Sequence, residues 1–340
     1  MRTLLLLLPV LALSWAEEWY ADARELYFGI PVSVRFAPAD TVLADRVWAA
    51  LVAIDDDFND YRDSSAIGAI NAGGPGTYVL NPSLTEAFDL ADRMRSVTGG
   101  ACEITVGPLR RLWRGAEKAR RWPTSASIAA ARAAVGPGVY ARSGDRLTVL
   151  RAGVGFDFGG VCKGIAVDRA VAILRAAGRT AGLVQVGGET AAWGMGTAGR
   201  THRIGIPHPD DPDDPDRLVA RVQDPGTGLS GSTSGNYRNP ITVEGRPLYH
   251  IFDPRSGLPA DTGILSFSVV FPGTGRNGEA DCLTKTGILL GEEGLRLVAA
   301  AGGEALLLRR RQDGGIDSAS TPGWARFALP APTSAGTAAP

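Results

Sequence analysis

The sequence is short of the residues that build metal clusters and disulfide frameworks. Its histidines are His202, His208 and His250 alone, and its cysteines Cys102, Cys162 and Cys282 alone. No CxxC occurs, and three scattered histidines offer no zinc spacing. An odd, widely spaced set of cysteines is not a disulfide framework either. There is no GxGxxG after a strand and no Walker A loop, which sets aside a Rossmann dehydrogenase and a P-loop NTPase. An excess of one charge is also missing: 35 basic side chains face 36 acidic ones, for a formal net charge of −1. General nucleic-acid binding needs a basic footprint and is disfavoured. No internal repeat is visible, which argues against a solute-binding protein of two similar lobes. No apolar stretch reaches the ~20 residues of a comfortable membrane span.

What is abundant is glycine and proline, 44 and 22 of 340 residues, which imply many tight turns and close backbone approaches. Hydrophobic residues, at 44%, suffice for a core. The N-terminal MRTLLLLLPVLALSWA reads as a secretory signal, one Arg followed by an apolar run ending Ser14-Trp15-Ala16 before Glu17-Glu18. Cleavage after Ala16 would export the mature protein. Residues 17–328 are expected to form one domain, and 329–340, rich in Pro, Ala, Ser and Thr, a disordered tail.

Between these ends, helical and strand patterns alternate irregularly, which favours an α+β fold over a doubly wound one. Leu26–Ala37, Arg146–Leu150, Gly182–Val186, Ile264–Phe271 and Ala305–Arg309 read as strands. Thr41–Phe58 carries Leu43, Val47, Leu51, Ile54 and Phe58 at helical spacing, with Asp40 or Thr41 as cap. Asn81–Thr98, Ser125–Val135, Lys163–Ala177 and Leu283–Leu290 read as further helices. Asp210–Asp216 is an acidic, proline-broken loop.

Polar and glycine-rich residues collect in five segments. FNDYRDSSAIGAIN (58–71) sets a Tyr among charged groups. GGACEITVGPLRRLW (99–113) combines paired glycines with a Gly-Pro turn. DFGGVCKGIAVD (157–168) leads a Gly-Gly turn into a helix start, a place that favours anions. Residues 231–259 hold STSGNYR and YHIFDPRSG, the densest set of donors and acceptors around a titratable His. EADCLTKT (279–286) offers oxygen ligands for a hard cation, or simply an N-cap Asp. Taken singly, each segment also has an ordinary structural reading: a capping Asp, a loop or a buried His.

Together and in this order, the segments resemble the FAD:protein FMN transferase family, the ApbE-type proteins. The resemblance runs from about Glu25 to about Ala305. It implies an ApbE-like, T-fold-related architecture with FAD in a deep cleft. It implies transfer of FMN from FAD to a Thr or Ser of a target flavoprotein, with AMP released. Acceptors in the family include membrane-bound redox pumps and respiratory maturation factors, so a membrane-associated partner is expected. Some members hydrolyse FAD instead. By resemblance, His250 and Asp253 are the catalytic pair at the reacting phosphate. Phe28, Tyr61, Ala101, Cys102, Glu103, Asp157, Lys163, Glu189, Phe252 and Arg255 are the flavin-binding set. Gly160, Asp281 and the residue four beyond it hold a divalent cation, usually Mg²⁺.

Three departures from the family pattern stand out. Phe28-Gly29-Ile30 replaces Met-Gly-Thr, and Glu103 replaces an Asp. The third is Lys285, which stands where the family has a Thr or Ser whose hydroxyl binds the metal. A protonated ammonium has no lone pair and repels a cation. Three arrangements are compatible with it. Thr284 or Thr286 serves as ligand after a local slip; Lys285 points away and water takes its place; or the ammonium itself becomes the counter-charge of the phosphates. The last opens a rival function, a non-catalytic FAD-binding carrier or assembly factor, alongside an FAD pyrophosphatase. The cysteines fall inside these motifs, which gives two expectations: buried thiols acting as small hydrophobes, or a Cys162–Cys282 contact near the metal site.

Overall fold

The computed structural model describes residues 18–26, 29–236 and 241–329. The signal-like segment, Phe28, Tyr237, Arg238 and nearly all of the Pro/Ala-rich tail lie outside the described residues. The chain opens with an antiparallel pair, β1 (Tyr20–Leu26) and β2 (Ile30–Ala37). Then come α1 (Thr41–Phe58), α2 (Ala66–Gly73), β3 (Gly76–Val79), α3 (Pro82–Val97), α4 (Gly107–Ala119) and α5 (Ser125–Arg132). A small hairpin, β4 (Tyr140–Ser143) and β5 (Arg146–Val149), precedes α6 (Cys162–Ala176), β6 (Ala181–Val186) and β7 (Glu189–Trp193). Next are β8 (Arg203–Pro207), β9 (Leu218–Gln223), β10 (Leu229–Gly235), β11 (Ile241–Val243), β12 (Arg246–Leu248) and β13 (Ile264–Pro272). The chain continues through α7 (Asn277–Leu290), α8 (Glu292–Ala300), β14 (Glu304–Arg310), β15 (Ile316–Ser320) and β16 (Ala328–Leu329).

An eight-stranded antiparallel sheet, ordered β1-β2-β6-β7-β10-β13-β14-β15, is the frame. Helices α6 and α7 lie on it, α6 against β6 and β7, α7 against β10 and β13. This is the α+β arrangement expected from the irregular alternation. Strand β13 is buried on both faces along most of its length, Ser266 and Ser268 included. Phe267, Val269 and Phe271 join the main core with the helices, while Val270 joins Trp324 and Phe327 in a second core. Each buried Phe contributes about 1.5–3 kcal/mol.

Local chemistry explains the helices. The α1 face read from the sequence is buried at Leu43, Val47, Leu51, Ile54 and Phe58, and the Leu43 N–H donates to Asp40 at 2.9 Å. Asn81 caps α3 in the same way. Two expectations need correction. The strand read over Leu26–Ala37 is two strands, because Gly29 adopts φ +86° and Ile30 begins a new one. The helix read from Leu283 begins at Asn277, so Asp281 lies inside α7 and is not its N-cap. The N-terminus of α7 is held from a distance: Asp168 of α6 accepts from the Asn277 and Gly278 N–H groups at 2.9 and 3.0 Å.

This clasp needs the two helices to touch. A Cβ on Gly164 would lie 2.2 Å from the Asn277 carbonyl oxygen, and one on Gly287 would meet the Phe267 ring at 2.2 Å. Gly164→Ala is therefore expected to destabilise the protein by about 1–3 kcal/mol despite its better helix propensity. Thermal unfolding measures this; an unchanged or raised Tm would show that α6 and α7 have room to part.

Candidate active site

The segment before α6 sorts its residues by pleat. Phe156 and Phe158 turn inward, each stacked edge-on against Phe88 with ring centroids 5.1 Å apart. Asp157 between them is directed the other way. Asn71 fixes this segment by exchanging two hydrogen bonds with the Phe156 backbone, at 2.7 and 2.9 Å. Asp157 accepts from the Gly159 N–H at 2.8 Å and pairs with Arg110 of α4 at 3.0 Å. Arg110 also pairs with Asp60. The Tyr61 ring lies under two guanidiniums, Arg110 at 4.4 Å and Arg114 at 4.7 Å. It is half-exposed beside Asp157, whose charge, after burial, pushes its pKa up. The expected stacking platform thus carries arginines in this structure.

The centre is a cluster of charges where α6, α7 and β7 meet. Asp281 is fully buried on α7, and Lys285 lies one turn further on the same face. The two side chains are in direct contact. Lys163, near the start of α6, lies 3.4 Å from both Asp281 oxygens and donates to the Gly159 carbonyl at 3.1 Å. The Gly164 N–H gives Asp281 a further hydrogen bond at 3.2 Å. Glu189, at the first position of β7, is buried. Its Oε1 lies 3.5 Å from Lys163, 3.7 Å from Lys285 and 3.2 Å from the Ser232 hydroxyl. Its Oε2 is buried without a hydrogen-bond partner among the described residues.

The charges act on one another. Burial is the largest influence on Lys163 and would lower its pKa, but Glu189 and its other neighbours together outweigh it and the net shift is upward, so Lys163 stays an ammonium. Burial, then the neighbouring Lys163, pushes Lys285 down to about 7. His250 lies in the loop between β12 and β13 and is exposed at the surface. Loss of hydration around its ring, then Lys285 and Lys163, push it down to about 4, so it is a neutral imidazole at pH 7. Its loop is anchored by Ile251 in the core, by Phe252 stacked on Trp113 at 6.4 Å, and by the Trp113 N–H on the Gly257 carbonyl at 2.8 Å. Burial pushes the Asp253 carboxyl up, and the hydrogen bonds from Arg255 outweigh it, leaving it lowered. Both Arg255–Asp253 side-chain contacts are 2.9 Å.

The structure thus brings together Lys163, Glu189, Asp281, Lys285 and His250, with Asp157 and Gly160 on the adjoining turn. Glu103 is expected to line the cleft through its backbone; its carboxylate is buried and accepts from both the N–H and the hydroxyl of Thr105. The cysteine expectations are corrected. Cys102 and Cys282 form a disulfide, and Cys162 is the free thiol. The loop after α3 runs against α7 at Cys282, with the two Cα atoms 6.0 Å apart. The bond joins Ala101–Glu103 to the residue beside Asp281. Closing a separation of 180 residues is worth about 2–5 kcal/mol.

A divalent cation does not fit this donor set. Both Asp281 oxygens and Glu189 Oε1 already face ammoniums, and no group of three His, Cys, Asp or Glu side chains converges among the described residues. Sequence reasoning did not single out Arg110 or Asp168, although both lie in quoted motifs; nothing local marks their long-range partners. A cavity of about 690 Å³ between α3 and the starts of α6 and α7 is lined by none of the expected site residues.

A sequence model of the ApbE family matches residues 28–307. An FAD:protein FMN transferase from Klebsiella pneumoniae is 29% identical over 303 residues, 87% of this chain and 84% of the relative. One from Salmonella typhimurium is 30% identical over 245 residues, 68% and 67% of the two chains. The apo flavinyl transferase ApbE of Pseudomonas stutzeri superposes with a TM-score of 0.77 at 27% identity, covering 90% of this chain and 96% of its own. The flavin transferase ApbE of Vibrio cholerae, at 23% identity, shares the fold with a TM-score of 0.76 over 91% and 99%.

The disulfide makes a direct expectation. Unfolded without reductant, the mature protein should show one reactive thiol, and three after reduction. Three in both conditions would refute the Cys102–Cys282 bond.

Proposed function

The chain belongs to the ApbE family and is a flavin transferase; we propose that it moves FMN from FAD to a Thr or Ser hydroxyl of a target flavoprotein, releasing AMP. The observation that carries this reading is the meeting of a neutral imidazole with two partly buried lysines held on buried carboxylates. The ammoniums suit a diphosphate and the imidazole suits a hydroxyl proton. In the reaction, the acceptor oxygen attacks the FMN-side phosphorus and the bond to the bridging oxygen breaks. AMP leaves with that oxygen, and the hydroxyl proton passes to His250. A base lowered to about 4 is weak; loss of hydration is the larger cause, and the diphosphate offsets the smaller one, the Lys285 and Lys163 charges. His250 thus gains basicity when FAD is bound.

The other residues position the reactants. Lys285 faces the charge that develops on the phosphate oxygens, and Lys163, its donors taken by Gly159, Asp281 and Glu189, adds its positive field. Asp253, locked by Arg255, holds the loop that carries His250. Asp157 and the Gly159-Gly160 turn present backbone at the start of α6, where the diphosphate would lie. Magnesium, carried over by the resemblance, has no place in this scheme, because ammoniums occupy the carboxylates that would bind it.

Two features of setting complete the reading. Export is supported by the signal-like N-terminus together with the Cys102–Cys282 bond, since disulfides persist in oxidising compartments. A mature chain beginning at Glu17 is expected from N-terminal sequencing, and an intact Met1 would contradict it. The acceptor is a flavoprotein of the same compartment, held at the membrane. Fractionation that recovers the flavinylated product only in the soluble fraction would contradict that placement.

Incubation with FAD and an acceptor domain should yield AMP and flavinylated acceptor in equal amounts. His250→Ala should slow both by about 10²–10⁴-fold, the usual worth of a positioned base. AMP formed with free FMN and no labelled acceptor would instead identify a pyrophosphatase.

A further inference from the structure

Lys285 decides how this site meets a diphosphate. The following step rests on the flavin reading above. Of the three arrangements compatible with the sequence, the geometry leaves one. Thr284 does not serve as a ligand: its hydroxyl donates to the Asp281 carbonyl and pairs with Ser234, both at 2.7 Å. Thr286 is fully buried with its hydroxyl on the Cys282 carbonyl at 3.1 Å. Nor does Lys285 turn away, since its ammonium touches Asp281 and lies 3.7 Å from Glu189.

We infer that the Lys285 ammonium replaces the divalent cation of this family, bridging the Asp281–Glu189 carboxylates to the FAD diphosphate, so that the chain binds FAD without a metal ion.

Counting donors supports this division of labour between the lysines. An ammonium has three N–H groups. Those of Lys163 face the Gly159 carbonyl, Asp281 and Glu189, which leaves none for a ligand. Lys285 makes one close contact, to Asp281, and a looser one to Glu189. It keeps an N–H for a phosphate oxygen. Its position on the Asp281 carboxylate is also where a cation shared between protein and ligand must stand.

Counting charges gives the same result. Two buried carboxylates face two lysines, so with both amines protonated the cluster is neutral. A dication added to it would face two like charges on the same oxygens. With a neutral side chain at position 285 the cluster would carry one excess negative charge. It would then repel a diphosphate unless a metal ion entered. Thr at 285 also supplies the lone pair that an ammonium lacks.

The experiment measures FAD affinity of the full mature protein, by flavin fluorescence, in excess chelator and in millimolar Mg²⁺. The native protein is expected to bind equally in both. Lys285→Thr should lose about tenfold or more in chelator, the worth of a charge-assisted hydrogen bond, and recover with Mg²⁺. Lys285→Met, which offers no ligand, should stay weak in both; a folding defect would weaken either variant without creating Mg²⁺ dependence. Native binding that collapses in chelator and returns with Mg²⁺ would overturn the inference without using any variant, while leaving the transferase reading intact. Absence of FAD binding by the native protein in both conditions would instead overturn the flavin reading on which the inference depends.

Discussion

Burying a carboxylate costs several kcal/mol unless opposite charge and hydrogen bonds accompany it. This protein buries Asp281 and Glu189 side by side, on different elements, far apart in sequence. The rest of the site follows from meeting that cost. Lys163 must reach over from α6, so α6 must lie against α7, which glycine at 164 allows. Asp168 then holds the α7 terminus that no local residue caps. Thr284 ties α7 down to Ser234 of β10, and the Cys102–Cys282 bond draws the 101–103 loop to the same helix. The arrangement serves chemistry because one of its four charged groups keeps a free donor.

His250 belongs to the same electrostatic system although it lies on a different loop. Loss of hydration is the main reason its imidazole is neutral, the nearby ammoniums add to it, and the arrival of an anionic ligand offsets the ammoniums' share. A site that makes its own base stronger when substrate binds is suited to a transferase that must not react before FAD is in place. Replacing a dication by an ammonium supplies one unit of charge where a metal supplies two. Less of the developing phosphate charge is then balanced, and slower turnover is the physical consequence.

Much of this was legible in the sequence, for identifiable reasons. The α1 face, its cap at Asp40 and the existence of the β13 strand follow from local periodicity and composition. The motif order carried the family, and Lys163, Glu189, Asp281 and His250, named from the resemblance, come together in the structure. What was not legible depends on geometry between distant segments. The disulfide partner of Cys282 is set by which loop crosses α7. The direction of Lys285 is set by two carboxylates, one of them on another strand. That the Glu103 carboxylate turns to Thr105 is not marked by its sequence neighbourhood. Tyr61 looked like an open platform, but Arg114 and Arg110, the latter paired with Asp60 and Asp157, lie over it.

The account's central claim is that the FAD diphosphate comes to rest between the lysine pair and His250. With only three histidines in the chain, the imidazole resonances can be assigned by single substitutions and followed by NMR as pH is varied. Without ligand, His250 should titrate near 4, far below an ordinary histidine. With FAD bound, its midpoint should move upward, because the diphosphate offsets the Lys285 and Lys163 charges. A His250 midpoint that stays put when FAD binds would mean that the diphosphate lies elsewhere, and the proposed site would be wrong.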